Sequence, residues 1–68
     1  MITELGIVAG EVWQVLDQHG EVSFSRLVSE IPHHARDSIL MSVGWLAREG
    51  HVIVREEGKD FLLTLRRP

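Results

Sequence analysis

The fold class this sequence predicts is α+β: a winged helix-turn-helix of three helices plus a β-hairpin wing, with a short strand between helices 1 and 2. Three observations carry that expectation. Apolar residues recur at helical spacing in two segments that each close on a glycine, "TELGIVAGEVWQVLDQHG" and "SILMSVGWLAREG". Between them, "SFSRLVSEIP" is a short helical stretch stopped by Pro32. After the second, "HVIVRE" and "DFLLTL" flank a turn containing Gly58, as the strands of a hairpin do. Two closely spaced helices followed by a hairpin define the motif, with the third helix as the nominal reader of DNA.

Each element has a local reason. In the first helix Leu5, Val8, Ala9, Val12, Val15 and Leu16 share one face. Thr3 is its expected N-cap, Glu4 suits the first turn, and Gly20 ends it. Gly6 and Gly10 lie one turn apart near Trp13, and each costs about 1 kcal/mol relative to alanine. They mark either a weak first turn or a close approach by another backbone. "EVS" is too short to stand alone but suits pairing with a later strand. Ser23 caps the second helix, whose apolar face is Phe24, Leu27, Val28 and Ile31. The third helix begins near His34 or Ala35 without a good cap, takes Asp37 in its first turn, and ends at Glu49 before Gly50.

A chain of 68 residues is expected to be a single domain, spanning 1–68. Such a domain buries only about 60% of its unfolded surface and is marginal alone. There is no cysteine to supply a disulfide or a thiolate metal site, so oligomerisation is the remaining common support. A hydrophobic fraction of 44% is too high for a disordered chain. Seven Lys and Arg stand against ten Asp and Glu, a net charge of −3, which weakens the electrostatic case for DNA. No signal peptide or membrane-length apolar run is evident, so the cytoplasm is the expected compartment and no membrane partner is expected.

The third helix carries the functional question. Ile39, Val43 and Leu46 form its inward stripe. The outward band is then Arg36, Asp37, Leu40, Met41, Gly44, Trp45 and Arg48. Reading bases in a groove needs Arg, Lys, Asn or Gln, and holding phosphates needs cations or hydroxyls. This band is mostly apolar instead. Trp and Met are enriched at protein interfaces, and Gly44 admits a partner helix closely. Burying Leu40, Met41 and Trp45 against a second subunit contributes on the order of 10 kcal/mol gross, before association entropy. The expected dimer interface is therefore Leu40, Met41, Gly44, Trp45 and Arg48, with Trp13 and help from helix one or the wing. A helix rotated by one position would instead take Leu40 or Met41 into the core, and an N-terminal arm folding back would cover Trp45.

The alternative reading is a DNA-binding regulator. Its contact set would be Arg36, Ser38, Ser42, Arg48, Lys59, Arg66 and Arg67. The wing "REEGKD" has two cations against three anions, which opposes phosphate contact. Another protein as partner, including an adaptor role in transcription, stays open.

"AGEVWQVLDQHGEVSFSRLV" followed by "ILMSVGWLAREGHV" resembles a small bacterial family of winged helix-turn-helix proteins, a domain of unknown function, over nearly the whole chain. The specific parts are "AGEVWQVL" and "GWLAREG". The resemblance implies a winged-helix fold, a homodimer built through that motif, no assigned activity, and no evident DNA-contacting residues. By residue match Trp13, Gly44, Trp45, Leu46, Ala47, Arg48 and Glu49 belong to the family signature. The sequence departs from it at "PHHARDS", where a more acidic, better capped helix start is expected.

The histidines are His19, His33, His34 and His51. His33 and His34 are adjacent rather than one helical turn apart, so they are expected to point differently, as exposed turn residues that lend some pH sensitivity. A zinc site needs three or four converging ligands, and no partner at the required spacing is evident, so no metal and no cofactor is expected. The serines are explained by caps and helix faces. No phosphate loop, nucleophile elbow or paired carboxylates appear, and the chain is expected not to be an enzyme.

Overall fold

The computed structural model describes residues 2–66, and of Ile2 and Thr3 only the backbone. The chain runs α1 (Ile2–His19), β1 (Glu21–Ser23), α2 (Phe24–Glu30), α3 (Arg36–Arg48), β2 (Val52–Glu57) and β3 (Asp60–Leu65). This is the predicted order. β3 is the central strand of a three-stranded antiparallel sheet ordered β1-β3-β2. "EVS" does pair with a later strand: Val22 stands opposite Leu63, and Leu63 also faces Val54 across the hairpin.

Three boundaries follow from local chemistry. Ser23 Oγ accepts the Arg26 N–H at 3.2 Å, so the expected cap of α2 is in place. α3 ends with the Gly50 N–H donating to Ala47 and the His51 N–H donating to Leu46, at 3.1 and 2.9 Å. Gly50 takes φ +81° there, a left-handed value that a side chain resists. The hairpin turns through Gly58 and Lys59, with Glu57 opposite Asp60 and Gly58 at φ +61°.

One expectation needs correction. α1 already includes Ile2, so Thr3 lies inside its first turn and does not cap it. α3 starts at Arg36, just after the expected His34 or Ala35, with Ala35 as its N-cap; as expected, no side chain caps it.

The core is formed where the helices meet the sheet. Val8, Ala9, Val12 and Leu16 of α1 pack with Phe24 and Leu27 of α2, Ile31, and Ile39, Val43 and Leu46 of α3. Val22, Val52 and Leu63 close it from the sheet. The inward stripe of α3 is the one its spacing predicts, and neither Leu40 nor Met41 enters the core. With the stripe fixed, the outward band is fixed too.

Candidate interaction surface

Every residue of the outward band of α3 is exposed: Arg36, Asp37, Leu40, Met41, Gly44, Trp45 and Arg48. Met41 is 53% exposed, Trp45 44% and Leu40 42%, so three large apolar side chains stand on the face that meets DNA in a reader of this fold. No segment among the described residues buries Trp45.

Shallow apolar hollows flank this face. One lies between α1 and α3, lined by Gly6, Gly10, Trp13, Trp45 and His51 among others. Trp13 and Trp45, assigned to one interface from sequence, do stand together here. A second lies between α3 and the wing, where Leu40 and Gly44 meet Val54 and Phe61. A third brings Met41 beside Glu4, Leu5 and Ser38. Arg48 is exposed but lines none of these three.

A methyl group placed on Gly6, Gly10 or Gly44 meets no atom outside its own helix within 4 Å. Among the described residues, no backbone makes the close approach that would explain these glycines. The open space faces outward.

The wing residues Val54 and Phe61 are missing from the sequence-derived interface. Their signal is strand alternation. Val52, Val54 and Glu56 share a face with Leu65, Leu63 and Phe61 through the hairpin register. Val52 and Leu63 reach the core, while Val54 and Phe61 extend the same apolar face past its edge to α3. Ile7 on α1 and Ile53 on β2 are further exposed apolar residues.

The alternative DNA-contact set fares unevenly. Ser42 is fully buried, and its hydroxyl donates to the Ser38 carbonyl at 2.9 Å. The DNA-contact set needs it on the outward side; it faces α1 instead, with the Leu5 carbonyl at 3.5 Å, and cannot reach a phosphate. Ser38 is partly exposed, and Arg36, Arg48, Lys59 and Arg66 are exposed. Arg67 lies outside the described residues. The Arg36 guanidinium sits 5.1 Å from the centre of the Phe24 ring. It also faces Asp60, whose carboxyl is held below its ordinary 3.8, chiefly by the Ser25 hydroxyl and the Phe61 N–H. On the wing, Arg55 pairs with Glu21 and Glu57, at 3.5 and 3.7 Å.

The histidines depart most from expectation. His33 and His34 do not point apart. Their rings lie 4.5 Å apart, tilted by 45°, and both turn to α1. His33 Nε2 lies 2.6 Å from one oxygen of Glu11, and His34 Nε2 lies 2.5 Å from the other. The three ligand atoms fall within 4.8 Å of one another. The Glu11 carboxyl is held below its ordinary 4.5, mainly by the His33 hydrogen bond, against partial desolvation and with help from His34. Sequence spacing missed the cluster because its carboxylate lies on another element, 22 residues from His33.

No helix among the described residues is long and apolar enough to cross a membrane.

Known proteins share this fold. The DNA binding domain of the repressor BlaI superposes with a TM-score of 0.82 at 19% identity, covering 90% of this chain and 78% of that one. Protein BT2368 from Bacteroides thetaiotaomicron gives a TM-score of 0.79 at 27% identity, over 93% of this chain and 76% of that one. In sequence, the uncharacterized protein MJ1608 of Methanocaldococcus jannaschii is 29% identical over 65 residues, which is 93% of this chain and 91% of the relative. A family model described as a winged helix-turn-helix domain (DUF2582) matches residues 2–65. With its fold, its glycine-closed third helix and its hairpin wing all accounted for by that match, the chain belongs to the DUF2582 winged helix-turn-helix family.

Proposed function

We propose that this chain is a homodimeric interaction module, one winged-helix domain over residues 1–68, in which the outward face of α3 meets its symmetry mate. The observation that carries this reading is the exposure of Leu40, Met41 and Trp45 together on one helix face. Contiguous apolar surface of this kind on a small domain marks an interaction site. A two-fold axis near Gly44 makes the patch self-complementary, so the same residues serve both subunits. Trp13 extends the patch along α1, and Val54 and Phe61 extend it along the wing. The reading assigns the chain no catalysis. Sedimentation equilibrium of the wild type and of Trp45→Lys tests it. A wild-type dimer and a Trp45→Lys monomer are expected; a wild-type monomer at micromolar concentration contradicts it.

A second reading is DNA binding through α3 and the wing. It is favoured by the exposure of Arg36, Arg48 and Lys59 on those elements. Against it stand Asp37, Glu49, Glu56, Glu57 and Asp60 on the same stretch. The BlaI domain binds DNA, but at 19% identity its likeness carries the fold alone. A DNA titration at several salt concentrations separates the readings. Binding with a steep salt slope, weakened by Arg36→Ala, favours DNA over the protein interface.

A further inference from the structure

We propose that Glu11, His33 and His34 form a binding site for a divalent transition-metal ion of the zinc class, which ties the turn before α3 to α1. None of these three residues lines the hollows that flank the outward face of α3, and the inference does not depend on what that face binds.

Ligand chemistry points to this class. Two imidazole nitrogens with one carboxylate are the donors that zinc and its neighbours take, whereas magnesium and calcium prefer oxygen alone. The geometry is close to what such an ion needs. Zn–N and Zn–O bonds of roughly 2.0–2.2 Å at tetrahedral angles place ligand atoms about 3.4 Å apart. The two Nε2 atoms lie 2.6 and 2.5 Å from the carboxylate oxygens, so the Glu11 head withdraws by about 1 Å to admit the ion. A glutamate side chain makes that adjustment by rotation about its own bonds.

The frame is already built. Glu11 stands in the middle of α1 beside Val12, which is fully buried. The turn is anchored by buried Ile31, stiffened by Pro32, and closed by the His34 N–H donating to the Ile31 carbonyl at 3.3 Å. Both rings are thereby delivered to one carboxylate by backbone that is itself fixed. The His33 side chain is 58% exposed and that of His34 only 19%, so the cluster opens to solvent on the His33 side. Three protein ligands leave a fourth position there for water.

Proton bookkeeping is simple. Each Nε2 that donates to Glu11 loses that hydrogen when it takes the ion. The proton leaves to solvent, or the neutral ring carries its hydrogen on Nδ1 instead. Binding therefore releases protons or shifts tautomers, and weakens as pH falls.

The test uses the full chain after chelator treatment, titrated calorimetrically with Zn²⁺, with Co²⁺ as a visible-absorption probe. We expect one ion per chain, a Co²⁺ ligand-field band, and no comparable uptake of Mg²⁺. Glu11→Gln, His33→Gln and His34→Gln should each weaken Zn²⁺ binding by at least about tenfold. His19→Gln, near Glu30 and away from the cluster, should leave it unchanged. Far-UV circular dichroism checks that each variant is folded, and His33→Gln, the most exposed, keeps the test decisive if His34→Gln unfolds. Absence of Zn²⁺ uptake by the folded wild type, or uptake that survives His33→Gln or Glu11→Gln, overturns the proposal. In that case the cluster is a hydrogen-bonded carboxylate–histidine clasp and nothing more.

Discussion

Trp13 on α1 and Trp45 on α3 line the same apolar hollow, and each keeps more than two-fifths of its surface in contact with solvent. Indole rings are among the costliest side chains to leave so exposed and among the most enriched at binding hot spots. Their shared hollow is lined also by Gly6 and Gly10, with Ala9, Leu46 and His51 beside them. In the proposed dimer this hollow, Met41 and the Leu40–Gly44 groove are parts of one subunit interface.

If the interface is as described, truncation on the two faces of α3 separates two properties. Ile39 is fully buried and Leu40, its neighbour, is exposed. Ile39→Ala should cost about 2–5 kcal/mol in urea unfolding. Leu40→Ala should change the stability of the dilute monomer by no more than about 0.5 kcal/mol. It should nonetheless raise the dimer dissociation constant. Equal costs at both positions would mean that α3 is set at a different rotation.

Gly44 makes a sharper discriminator. A methyl group there meets no other part of the chain within 4 Å. Gly44→Ala should therefore stabilise the helix in the isolated monomer by up to about 1 kcal/mol. In the proposed dimer the same methyl group would obstruct a close-packed partner. The expected pattern is a higher urea midpoint at low protein concentration together with weaker self-association by sedimentation. Stabilisation with no loss of association would remove Gly44 from the contact.

The Glu11 clasp makes stability acid-sensitive. Its folded carboxyl titrates below the ordinary 4.5, chiefly because His33 and His34 bind its charged form. A depressed carboxyl stabilises the fold above its unfolded value, and that contribution is lost as pH falls through the folded value. In metal-free protein, Glu11→Gln should be less stable than wild type near neutral pH. The difference should shrink as pH drops from about 4.5 and vanish once both states are protonated. Paired urea melts across that range check the direction. A difference independent of pH would assign the effect to packing instead of charge.

Much of this was legible from residue order. The stripes Val8–Val12–Leu16 and Ile39–Val43–Leu46 set both helix faces, because a helix allows one apolar side to be buried at a time. Gly50 and Gly58 marked turns that require positive φ. Ser42 departs from the DNA-contact set because the core stripe of α3 is wide enough to take it in, a width that helical spacing does not fix. Its hydroxyl is satisfied by the Ser38 carbonyl one turn back, which lets a polar residue lie fully buried beside α1. The convergence of His33 and His34 was invisible because it depends on where α1 crosses the turn. No local spacing records that crossing.

The most direct measurement of the central claim is an isotope-filtered NOE experiment on a mixed sample of labelled and unlabelled chains. The proposed interface requires contacts between chains from the Met41 methyl group and the Trp45 indole, with Trp13 and Phe61 at the margin of the set. A spectrum with no cross-chain contacts from α3, at a concentration where the protein sediments as a dimer, would contradict it.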